Sequence, residues 1–166
     1  MPRTILLVED SEDDVFLITR AFKSAGLVTP IARACNGQDA IDYLSGKDNY
    51  ADRAKFPLPA LVLLDIKMPF ISGFEVLSWV RAQPPLATLP VVVFTTSDQE
   101  CDVKRAYASG ANAYLVKPAH LEDCESLAVL IKQFWVDANV APPIDAANVT
   151  AQQEVRPGPS TFQPHN

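Results

Sequence analysis

The run Leu61-Val62-Leu63-Leu64 is apolar at every position and closes on a carboxylate, Asp65. A strand with one wet face alternates apolar and polar residues, so an unbroken aliphatic run calls for cover on both faces. The same grammar recurs along the chain. Ile5-Leu6-Leu7-Val8 leads into Glu9-Asp10, Val91-Val92-Val93-Phe94 leads into Thr95-Thr96, and shorter runs stand at residues 31–35 and 113–116. Segments of helical period separate them, and this alternation predicts an α/β fold in which a parallel sheet carries helices on both faces.

Punctuation between the runs supports five such units. Ser11 offers an N-cap hydroxyl before the acidic turn Glu12, Asp13 and Asp14, whose charges suit a helix N-terminus. Val15, Ile18, Phe22 and Ala25 then form one stripe, and Gly26 ends the helix. A second helix is expected from Gly37 to Leu44, a third from Gly73 until Pro84-Pro85 halts it, a fourth over 98–109 before Gly110, and a last over 121–137. Residues 45–59 form a long polar connection with Pro57 and Pro59, which reads as an insertion; loops of this length are uncommon and often functional. In the last helix Leu121, Cys124, Ala128, Ile131 and Trp135 cover the sheet, while Leu127, Leu130 and Phe134 widen the apolar face beyond the roughly 100° a core needs. That excess predicts a homodimer through this helix.

Length allows one domain, over 1–137, and a tail over 138–166 whose prolines 142, 143, 157, 159 and 164 lie among Gln, Ala and Ser and predict disorder. A net charge of −6 and a pI near 4.8, with no basic run, argue against nucleic acid as a partner. Cys35, Cys101 and Cys124 make neither a CxxC pair nor an even set, so disulfides and zinc are not indicated. The apolar run after Met1 is too short for a signal core or a membrane span, and the expected location is the cytoplasm.

In open α/β sheets, ligands gather at the carboxyl ends of the strands, where strand order reverses. Glu9, Asp10, Asp65, Thr95, Thr96 and Lys117 all fall at such ends. Three carboxylates brought together repel unless a cation intervenes, and hard oxygen donors of this kind suit Mg²⁺. Phosphoryl transfer needs a nucleophile, a metal and donors to the equatorial oxygens. Asp65 fits the nucleophile, Asp10 the main metal ligand with Glu9 beside it directly or through water, Lys117 the positive charge and Thr95 the hydroxyl donor.

These residues carry a resemblance. Leu7-Val8-Glu9-Asp10, Leu64-Asp65-Ile66-Lys67-Met68-Pro69 through Gly73, Phe94-Thr95-Thr96, and Gly110-Ala111 through Lys117-Pro118 closely resemble the receiver domains of two-component response regulators, over residues 3–137. The resemblance implies a flavodoxin-like, doubly wound fold with strand order 2-1-3-4-5, a sensor histidine kinase as phosphoryl donor, Mg²⁺ as cofactor and the Lys67 carbonyl as a further metal ligand. It also implies a cis Lys117-Pro118 peptide aiming the lysine at the site. The resemblance further implies that on activation Thr95 approaches the phosphoryl group and Tyr114 turns inward, altering a surface of helix 4, strand 5 and helix 5. Lys67 and Ser97 stand where the family tunes phosphate lifetime, and Thr96 is bulkier than the small residue often found there. The insertion, the long last helix and the lack of an output domain resemble the single-domain regulators paired with bacterial phytochrome-type kinases.

An intermediate in a phosphorelay, passing phosphate to a histidine phosphotransfer protein, is an alternative reading. An aspartyl-phosphate phosphohydrolase is a weaker one, because those enzymes carry a second aspartate where Lys67 stands. A pseudo-receiver acting as a constant binding module is the third, and the intact set Asp10, Asp65, Thr95 and Lys117 opposes it. Taken singly, Glu12, Asp13 and Asp14 read as helix N-terminal charges. Thr95 alone reads as a strand-end hydroxyl, Tyr114 as an edge aromatic, and His120 as a helix-starting residue.

Overall fold

The computed structural model describes residues 3–144 and 148–149. Five parallel strands, β1 (Ile5–Val8), β2 (Ile31–Ala34), β3 (Leu61–Leu64), β4 (Val91–Thr95) and β5 (Ala113–Val116), form one sheet in the order β2-β1-β3-β4-β5. The helices are α1 (Glu12–Ser24), α2 (Gly37–Ser45), α3 (Gly73–Ala82), α4 (Glu100–Ala108) and α5 (Leu121–Ile131). This is the flavodoxin-like arrangement, and the apolar runs explain it. Leu6, Val8, Val62, Leu64, Val91 and Val93 point into a core shared with α2, α3 and α4. Their neighbours Ile5, Leu7, Leu61, Leu63, Val92 and Phe94 point into a second core under α1 and α5. Each such side chain, fully buried, contributes about 1.5–3 kcal/mol relative to exposure.

Local chemistry fixes the helix starts. Ser11 Oγ accepts from Asp14 N at 3.3 Å, and Asn36 Oδ1 accepts from Asp39 N at 2.8 Å. At α3, Ser72 and Glu75 form a reciprocal capping box, Glu75 N donating to Ser72 Oγ and Ser72 N to Glu75 Oε2. α4 begins two residues later than expected. The Ser97 hydroxyl accepts from Gln99 N at 3.4 Å and donates to Asp102, which keeps Asp98 and Gln99 in the turn. His120 occupies the N-cap position of α5 without a side-chain capping bond.

The last helix changes pitch. Beyond Ile131 it continues as a π-helix, Lys132–Ala138, in which Lys132 and Asp137 pair at 2.8 Å. Trp135 and Leu127 pack against the core beneath α5, whereas Leu130 and Phe134 remain 61% and 57% exposed, so the surplus apolar face is narrower than expected. The connection after α2 is not merely polar. A 3₁₀ turn, Asp48–Tyr50, and the segment after it bring Tyr50, Phe56 and Leu58 against the core, and Arg53 ties them to the end of α2.

Most of the tail expected to be disordered lies outside the described residues; within them, Ile144 packs against the α2–α3 core and Val149 is buried there. The three cysteines are free thiols. Among the described residues no helix is long and apolar enough to cross a membrane.

Candidate functional site

The reversal of strand order between β1 and β3 opens a cleft at their carboxyl ends. Asp65 leaves the end of β3 with its backbone N bonded to Val8 O at 3.1 Å, so the residue is held between β1 and β3. Its Oδ1 accepts from Lys67 N at 3.0 Å, leaving Oδ2 facing Lys117 Nζ at 3.1 Å. Behind it, the N-terminus of α3 comes so close that a Cβ on Gly73 would stand 2.2 Å from Asp65 O. Only glycine fits there.

Glu9, Asp10 and Asp65 each offer a carboxylate oxygen within a group no more than 4.8 Å across, and Glu9 and Asp65 are buried while Asp10 faces solvent. Two inward oxygens and one at the open side make a donor set that fits a hard divalent cation. Lys117 reaches the same cleft from the end of β5. Its Nζ contacts Glu9 Oε2, Asp14 Oδ2 at 2.9 Å and Asp65 Oδ2 at 3.1 Å.

Charge sets the protonation states. Burial on its own lowers the Lys117 ammonium, but hydrogen bonds to Glu9 and Asp14 and the Asp65 charge outweigh it, so the lysine is held protonated. Burial of Glu9 dominates over its shared bond to Lys117, and its carboxyl is raised. One ammonium divided among three carboxylates does not fully compensate them, which is the electrostatic reason for a cation to enter.

The Lys117-Pro118 peptide is trans; there is no cis bond among the described residues, which corrects the expected cis isomer. Trans is the intrinsically favoured form by about 0.5–1 kcal/mol, and the bond from Lys117 N to Thr95 O at 2.7 Å already directs this residue to the cleft.

Thr95 is fully buried at the end of β4, its hydroxyl accepting from Ser97 N at 3.5 Å, and Thr96 is exposed. Tyr114 is half-buried and donates its hydroxyl to Ser97 O at 2.9 Å. Thus Glu9, Asp10, Asp65 and Lys117 come together, while Thr95 and Tyr114 meet on the Ser97 loop beside them. Asp14 was read from sequence as a helix-end charge, yet it is a direct partner of Lys117. Its place one turn beyond Asp10 was the available signal.

A flavodoxin-like sheet whose switch point holds an acidic, lysine-bridged cleft defines a class of phosphate- and metal-handling α/β proteins. Within that class the chain belongs to the response regulator receiver domain family, which it matches over residues 5–128. A probable methanogenesis regulatory protein, FilR2 of Methanothrix harundinacea, is 39% identical over 85% of this chain and 88% of its own length. The response regulator Rcp1 of a Synechocystis species is 35% identical over 85% of this chain and 94% of its own. The crystal structure of the Mn²⁺-bound form of Rcp1 superposes with a TM-score of 0.77, at 34% identity, over 86% of this chain and all of that one. The phosphorylated cyanobacterial phytochrome response regulator RcpA gives a TM-score of 0.79 at 31% identity with the same coverage. The protein is therefore a two-component signalling switch, homologous to phytochrome response regulators, whose acidic cleft is of the kind that holds a divalent metal.

Proposed function

We propose that Asp65 accepts a phosphoryl group from the phosphohistidine of a sensor histidine kinase, and that the kinase is of the phytochrome type. The observation carrying this reading is the convergence of Asp65 Oδ2 with Lys117 Nζ at 3.1 Å inside the Glu9, Asp10 and Asp65 cluster. Asp65 Oδ2 attacks phosphorus as the P–N bond breaks, and the imidazole leaves with that electron pair and takes up a proton. Glu9, Asp10, the Asp65 carboxylate and the Lys67 carbonyl are the residues to hold Mg²⁺, which when bound neutralises charge on the transferring group. Lys117 supplies a fixed positive charge to one phosphoryl oxygen, and Thr95 donates its hydroxyl to another after the Ser97 loop shifts. Water attack on phosphorus later releases phosphate and restores Asp65, so the chain catalyses both its own phosphorylation and its own dephosphorylation.

The output is a change in the surface of α4, β5 and α5. Tyr114 couples to it because its hydroxyl is held by the same loop that holds Thr95. The exposed Leu130 and Phe134 provide the contact for a second copy of the chain. A kinase partner and three cysteines outside any disulfide support a cytoplasmic location for this work. An autophosphorylated phytochrome-type kinase should pass its label to the wild type, while Asp65→Asn or chelation of Mg²⁺ should abolish transfer. Undiminished labelling of Asp65→Asn would overturn the assignment.

A further inference from the structure

Lys67 is next to the phosphoacceptor through its backbone, yet its side chain is turned away from the cleft. Its Nζ lies 3.0 Å from Asp102 Oδ2, on the first turn of α4. The same carboxylate oxygen accepts the Ser97 hydroxyl at 2.5 Å, and Ser97 in turn bonds Thr95 Oγ1 through its amide and Tyr114 through its carbonyl. One oxygen of one aspartate therefore joins the Asp65 loop, the Thr95 loop and α4. We infer that Asp102 is a positioning residue that latches the resting state, holding Lys67 off the cleft and the Ser97 loop off Thr95's active position. This rests on the phosphorylation of Asp65 proposed above.

The latch has a built-in release. Phosphorylation places about −1.5 to −2 charge on the residue whose Oδ1 already meets Lys67 N at 3.0 Å. Lys67 is 56% exposed and free to swing, whereas Asp102 is 15% exposed and held by Ser97. The new dianion competes with the single charge of Asp102 for the mobile partner. Once Lys67 leaves, Asp102 keeps its bond to the Ser97 hydroxyl but no longer ties the Asp65 loop to α4, and the Ser97 loop is the one Thr95 and Tyr114 share. A partly exposed ion pair is weak enough to be released by such competition, and its loss should change rates by a few-fold rather than by orders of magnitude.

The test compares wild type, Asp102→Asn, Lys67→Met and the variant carrying both changes, with phosphoramidate and Mg²⁺ as donor and metal. Asp102→Asn keeps an acceptor for Ser97 and removes the charge. It should be phosphorylated about threefold faster than wild type. In the unphosphorylated protein both variants should raise amide hydrogen exchange over residues 97–103, the double variant adding nothing further. In the phosphorylated protein wild type and Asp102→Asn should exchange alike. A merely structural role for Asp102 would give slower, not faster, phosphorylation. Equal rates in wild type and Asp102→Asn, both carrying phosphate on Asp65, would overturn the latch alone. Absence of Asp65 phosphorylation in every protein would instead remove the reading beneath it and the latch together.

Discussion

Gly73 sets the position of Asp65 from behind. Because an added Cβ would lie 2.2 Å from Asp65 O and 2.7 Å from Ile66 Cα, Gly73→Ala must displace either α3 or the end of β3. Overpacking of this kind costs about 1–3 kcal/mol; urea denaturation should show that loss, with slower phosphorylation beside it. Glu75 acts at the same helix start, where its bonds to Ser72 hold its carboxyl below the ordinary 4.5. A carboxyl depressed in the folded state contributes stability above its unfolded pKa, and loses it as pH falls through the folded value. Glu75→Gln should therefore lower the urea midpoint at pH 7, and the gap to wild type should close as pH falls through the folded value, below the ordinary 4.5. Both residues were within reach of the sequence, Gly73 as the end of a motif and Glu75 three positions after a serine. Asp14 was not legible in the same way. Its acidic neighbours gave it an adequate reason to exist, and only the fold brings it to Lys117, 103 positions away.

At the scale of elements, the strands were legible because their unbroken apolar runs need cover on both faces, whereas their order came from the resemblance to receiver domains and matches the sheet observed. The 45–59 connection was not legible, since its polar residues mask a packed unit. Arg53 NH1 reaches Tyr43 O at 2.7 Å and NH2 reaches Leu44 O at 2.8 Å, while the rings of Tyr43, Tyr50 and Phe56 meet tilted or edge to face, with centroids 5.0–6.1 Å apart. Charged hydrogen bonds of this sort contribute about 1.5–3 kcal/mol each at most, so Arg53→Met should lower stability by about 2 kcal/mol or more and leave the Asp65 phosphorylation rate near that of wild type. Calorimetry with a phosphorylation time course checks both halves. The last helix offers a separate test. Leu130 and Phe134 are the exposed apolar pair, and Phe134→Asp should shift a sedimenting dimer to monomer without unfolding the chain. A wild type that sediments as a monomer, phosphorylated or not, would contradict the dimer.

Across the whole molecule, two cores brace the sheet, so that the carboxyl ends of β1, β3, β4 and β5 present their side chains from a rigid platform. Asp102 links the loops above it to α4, and so joins the cleft to the proposed output surface. The central claim is that this platform makes Asp65 a phosphoacceptor. The direct measurement is intact-mass and peptide analysis of the chain incubated with acetyl phosphate and Mg²⁺. Wild type should gain a single phosphoryl group, mapped to Asp65 and lost with time, whereas Asp65→Asn should gain none and Lys117→Met should gain it far more slowly. A phosphoryl group mapped to any other residue, or a wild type that stays unmodified, would contradict the account.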